Sequence, residues 1–84
     1  MDIPTLEDQV RRGQAVARLL KDEHISDAFE QVEQRFVEEW KDSGTLEQRE
    51  EAWAKVQGLQ AVIACLHGIV TDGEHALHLL GDSR

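Results

Sequence analysis

Three stretches of the chain carry apolar residues at helical spacing, and none shows the Val/Ile/Thr alternation of a strand. The first seam is Leu6, Val10, Gly13, Ala17 and Leu20, stepping by 4, 3, 4, 3 and widened by Val16 and Leu19. The second is Ile25, Phe29, Val32, Phe36 and Trp40. The third is a heptad seam of Ala52, Val56, Leu59, Ile63, Leu66, Val70, Gly73, Leu77 and Leu80, flanked by Val62, Ile69 and Ala76 on one side and by Trp53 on the other. The pattern predicts an all-α chain with helices over about 5–22, 26–41 and 45–72, the last extending toward 80.

Boundary residues support these limits. Thr5 can cap the first helix, with Glu7 and Asp8 near the positive end of its dipole. The step from Leu20 to Ile25 puts the first two seams out of phase, so a kink or short turn is expected at Asp22–Ser26, with Asp22 or Ser26 capping the second helix. Lys41-Asp42-Ser43-Gly44 ends the second helix with a cation in its last turn and glycine near the C′ position. Thr45-Leu46-Glu47-Gln48 has the T-x-x-Q form of a capping box, in which Thr45 and Gln48 satisfy each other's amides.

Two arrangements suit these helices: a three-helix bundle, or a long helical hairpin whose kinked first arm runs end to end along the third helix. The broad apolar stripe of the third helix suits two neighbours rather than one. Together with the phase shift between Leu20 and Ile25, it favours the bundle. Residues 1–84 form a single helical domain in either case.

The segment VQGLQAVIACLHGIV, residues 56–70, lacks Asp, Glu, Lys and Arg in a chain that is 31% charged. Opposite the heptad seam it holds a second row, Ala54, Gly58, Ala61, Cys65 and Gly68, all small and again stepping by 4, 3, 4, 3. Glycine inside a helix costs roughly 1 kcal/mol relative to alanine. A row of small residues lets another helix backbone approach closely. Either the first two helices wrap round to cover this row or a second copy or another protein does. Two helices do not easily enclose a third on every side, so the expectation is a self-association face at Ala54, Gly58, Ala61, Cys65 and Gly68.

Composition narrows the function. An 84-residue chain buries only about 60–65% of its unfolded surface and is commonly reinforced by a disulfide, a metal or a further subunit. Cys65 is the one cysteine, so no intrachain disulfide can form. A lone cysteine and the absence of a leader pattern in MDIPTLEDQV predict a reducing, cytoplasmic location. Residues 56–70 are too short to span a bilayer, and no membrane partner is expected.

Net charge is −8, and residues 22–51 carry the whole surplus, with eleven acidic residues against three basic ones. Direct nucleic-acid binding is not expected, because phosphates would be repelled. The acidic stretch is a solvated helix face or, in a sharper reading, a surface centred on Glu30, Glu33 and Glu38 that docks a basic partner.

Signals for chemistry are thin. His75 and His78 lie one turn apart near Asp72 and Glu74, but no second pair of strong ligands accompanies them. Cys65 and His67, two residues apart on a helix, face apart. His24 falls in the expected break and reads as a surface residue. There is no phosphate-cradling loop. No enzyme, metal or cofactor is expected. Around the 42–45 turn, Arg35, Trp40, Arg49 and Trp53 suggest a clasp: the tryptophans cluster, and the arginines reach carboxylates such as Glu38, Glu39, Glu50 or Glu51 across the helices.

Taken whole, RRGQAVARLL, AFEQVEQRFVEEW, the turn, REEAWAKVQGLQAV and VTDGEHA resemble a loose group of short, acidic, helical proteins of tailed bacteriophages and prophages. The most specific part is the run from Trp40 to Trp53, followed by Asp72-Gly73. The resemblance implies a phage accessory or assembly protein in the host cytoplasm or the virion, and it transfers no functional residue. The expected function is protein–protein binding by a homo-oligomer, in virion assembly. The alternative is an acidic inhibitor that occupies a basic, nucleic-acid-binding site on host defence or transcription machinery.

Overall fold

A computed structural model describes residues 2–82 as three helices, α1 (Ile3–Lys21), α2 (Glu23–Lys41) and α3 (Leu46–Asp82). None of the described residues is in a strand. Of the two arrangements the sequence allows, the chain adopts the helical hairpin. Its principal extents are 60 × 26 × 14 Å, and its radius of gyration is 17.7 Å; about 12 Å is typical of a compact chain this long. At 1.5 Å per residue, α3 is about 55 Å long, and α1 and α2 laid end to end match it. Both pack on α3 and touch each other little.

The phase shift does not force the helices side by side. Asp22 alone leaves helical geometry (φ −69°, ψ 122°), and this single extended residue resets the rotation, so that the α1 and α2 seams both face α3. Asp22 also caps α2: its carboxylate accepts from the amides of His24 (2.8 Å) and Ile25 (3.2 Å). The second helix therefore opens at Glu23 rather than at Ser26. The first opens earlier than expected as well. Pro4 occupies its first turn, which tolerates the missing amide, and the Thr5 hydroxyl bonds the Asp2 carboxylate (3.3 Å) instead of capping an amide.

At the hairpin turn, Thr45 Oγ1 accepts from the Gln48 amide (3.1 Å) as the capping box requires. The reciprocal bond reaches one residue further back, from the Gly44 amide to Gln48 Oε1 (3.1 Å). Gly44 does not take a left-handed conformation. The end of α2 is satisfied otherwise, by the Ser43 hydroxyl donating to the Glu39 carbonyl (2.7 Å) and by the Asp42 amide donating to that of Glu38 (2.9 Å).

The core is thin. Its buried apolar side chains are Leu6, Ala52, Val56, Ala76 and Leu80, and α2 contributes none. Leu6, Ala76 and Leu80 cluster where α1 meets the end of α3, with Val10 and Leu79 against them. Midway along α1, Gly13 and Gly73 bring the two backbones into contact. The heptad seam holds to Gly73 and then departs from expectation: Ala76 is buried, whereas Leu77 is 54% exposed. Near the turn α3 packs on α2, with Ala52 beside Glu38 and Glu39, whereas its last part packs on α1 through Leu6. The buried line is thus set by a different neighbour at each end, and it passes through Ala76 rather than Leu77. No helix among the described residues is long and apolar enough to cross a membrane.

Candidate protein-interaction surfaces

The outer face of α3 is set by the hairpin topology. With α1 and α2 in series on one side, no other described element covers the opposite side. Ala54, Gly58, Ala61, Cys65 and Gly68 are all exposed, and a Cβ placed on Gly58 or Gly68 would meet no atom within 4 Å. The chain's own close helix approach lies elsewhere, at Gly13 and Gly73, which the sequence placed in the ordinary seams. Trp53 (46% exposed) and Val62 (52%) flank the bare row. From Val56 to Thr71 this face carries no charge, so approach by another apolar surface strips water from no ionised group.

The turn assembles part of the expected clasp. Trp40 and Trp53 stand 6.0 Å apart, tilted by 48°. The Arg49 guanidinium lies 5.8 Å over the Trp40 ring, a cation–π contact rather than an ion pair. Leu46, Arg49 and Glu50 join the two tryptophans around an open apolar groove of about 340 Å³.

Arg35 departs from expectation. It lines a polar groove of about 450 Å³ together with Glu38, Glu39, Asp42 and Glu51. The ion pair across the helices is made by Lys55, whose Nζ is 3.0 Å from Glu39 Oε2 and 5.9 Å from the centre of the Phe36 ring. Phe36 and Glu39 are three residues apart on one face of α2, so a single lysine from α3 reaches both. The sequence offered Lys55 no prominence, because which α3 residue faces Glu39 depends on the register of the hairpin.

Glu30 and Glu38 are exposed on α2 and Glu33 is half-buried, and the three do not form one compact patch. Glu33 and Glu38 share a shallow groove with Val37 and Lys41, which Glu30 does not line. The ion pairs among the described residues are Arg11–Asp8, Lys55–Glu39 and His78–Asp82, and none of these three glutamates takes part in them. His78 Nε2 lies 3.3 Å from Asp82 Oδ2 on the exposed surface. Among the described residues no group of three or more histidine, cysteine, aspartate or glutamate side chains is placed to hold a metal.

No protein-family model, characterised protein or solved structure matches the chain.

Proposed function

We propose that this chain is a non-enzymatic helical protein that acts by binding other proteins through the uncovered face of α3, beginning with further copies of itself. The observation that carries the reading is the empty space around Gly58 and Gly68 in the middle of a sixteen-residue stretch without charge. A helix that exposes such a stretch, in a chain with so few fully buried apolar side chains, gains most from a neighbour. A role in the assembly of phage particles rests on the resemblance carried by the Trp40–Trp53 run and Asp72-Gly73. The mass in solution at micromolar concentration tests the association. A multiple of 9.5 kDa is expected, and a helical chain that stays monomeric sinks the reading.

A second reading is favoured by the unpaired glutamates of α2. In it, Glu30, Glu33 and Glu38 occupy a basic, nucleic-acid-binding site on a host protein. Such binding weakens as salt rises and on Glu→Lys reversal at these positions; binding indifferent to both counts against it.

A further inference from the structure

The hairpin exposes more surface than a folded chain of its size requires. Its accessible surface is 6432 Å² for 9.5 kDa, where a compact monomer of that mass exposes about 5,000 Å². The excess is about 1,400 Å² per chain. Two copies that removed it would bury about 2,800 Å² in all, within the range of obligate homodimers and well above the roughly 1,600 Å² of an ordinary stable interface. The surface suited to removal is the uncharged outer face of α3 with its apolar flanks, Trp53 and Val62.

Charge then fixes the direction. The half of the hairpin next to the turn, residues 22–61, holds eleven acidic residues against four basic ones. The other half, residues 2–21 and 62–82, holds six acidic residues against four basic ones, so the surplus lies mainly beside the turn. Parallel pairing sets the two acidic halves side by side and places Glu47 and Glu51 against their own counterparts, which is unfavourable in any register that matches the two faces. Antiparallel pairing separates those halves. Centred on Ala61, it brings Ala54 opposite Gly68 and Glu47 opposite His75, with Glu50 and Asp72 the one like-charged match. Charges on the outer helices are screened over about 8 Å at physiological salt, so the groups on α3 itself carry most of the preference.

We infer that the partner of the α3 face is a second copy of this chain, paired antiparallel with Ala61 at the two-fold axis. The inference rests on the self-association proposed above and adds the occupant's orientation and register. In this pairing Cys65 lies opposite Gln57 and away from the other copy's Cys65.

Disulfide mapping tests it, because crosslinking needs Cα atoms within about 7 Å. The row positions are exposed in the single chain, so cysteine there leaves the hairpin intact, and circular dichroism verifies each variant. Four oxidised samples are compared: the natural chain, and Ala61→Cys, Ala54→Cys and a mixture of Ala54→Cys with Gly68→Cys chains, each of these last three carrying Cys65→Ala. The expected result is covalent dimer from Ala61→Cys and from the mixture, and little from the natural chain or from Ala54→Cys alone. Crosslinking through Cys65 or Ala54→Cys alone overturns the antiparallel arrangement while leaving self-association standing. Mass above one chain with no crosslink in any sample places the interface elsewhere and overturns the inference alone. A monomeric mass for the uncrosslinked chain overturns both.

Discussion

Gly13 and Gly73 hold the α1 and α3 backbones in contact: a Cβ on either residue would stand 2.9 Å from the Cα of the other. The next obstacles are also main chain, the Ile69 carbonyl oxygen at 3.1 Å from a Cβ on Gly13 and the Gln9 carbonyl oxygen at 3.0 Å from one on Gly73. Neither can swing aside as a side chain would. Alanine improves helix propensity by about 1 kcal/mol at such positions, but overpacking of a fixed contact costs about 1–3 kcal/mol. Gly13→Ala and Gly73→Ala are therefore expected to lower stability by up to about 2 kcal/mol in urea titrations followed by circular dichroism. Gly81→Ala, which meets nothing within 4 Å, serves as the control and is expected to be neutral or slightly stabilising. A stability gain at Gly13 would mean that the helices do not touch there.

The row on the opposite side of α3 should respond in the reverse sense. Gly58→Leu puts a good helix former where the chain leaves open space, so the helicity of the single chain is expected to hold or rise. The same leucine keeps a second backbone from approaching closely. Ala61→Glu places a charge in the middle of the uncharged stretch, and burying it unpaired is strongly unfavourable. Both substitutions should lower the mass measured at a given concentration without loss of the helical spectrum. Loss of helicity at the concentration where mass falls would instead tie the row to the fold.

Asp22 joins the two halves of the first arm through one carboxylate. Replacing an N-cap aspartate with alanine costs about 0.5–2 kcal/mol, whereas asparagine retains an acceptor and caps comparably. Asp22→Ala is expected to destabilise the chain by about 1 kcal/mol, and Asp22→Asn by much less. Equal losses for the two would assign the effect to charge and not to the bonds with the His24 and Ile25 amides.

The same residue shows where sequence reasoning reached its limit. Periodicity located all three helices, and the T-x-x-Q run located the turn, because these are local signals. The mismatch between Leu20 and Ile25 was equally visible, but its consequence was not. A phase error between two seams can be absorbed by packing the helices side by side or by one non-helical residue that rotates the second into line. Sequence spacing does not distinguish these, and the ψ of Asp22 shows that the second occurs. Ala76 rather than Leu77 is buried because this part of α3 packs on α1 through Leu6, and the direction from which a neighbour approaches is not written in the spacing of one helix. Lys55, rather than Arg35 or Arg49, pairs across the helices, since partner choice depends on a register that only the hairpin supplies. The small-residue row was legible as a pattern, whereas its exposure depends on α1 and α2 lying in series.

The tryptophan pair at the turn is the remaining part that can be weighed separately. Trp40 is half-buried and Trp53 is 46% exposed, so each loses less on truncation than a core aromatic would. Their 6.0 Å tilted contact is expected to contribute about 0.5–1.5 kcal/mol beyond buried area. A double-mutant cycle of Trp40→Leu and Trp53→Leu isolates that coupling, provided that it is read by circular dichroism, since the substitutions remove the fluorophores. Arg49→Met, which keeps a stem of similar length over Trp40 without the charge, should cost about 0.5–1 kcal/mol. In the Trp40→Leu background that cost should vanish, because the ring it rests on is gone. Strict additivity of the tryptophan substitutions, or an Arg49 effect unchanged by loss of Trp40, would show that the cluster is not an energetic unit. The turn would then be held by the Thr45 and Gln48 caps and the Lys55–Glu39 pair.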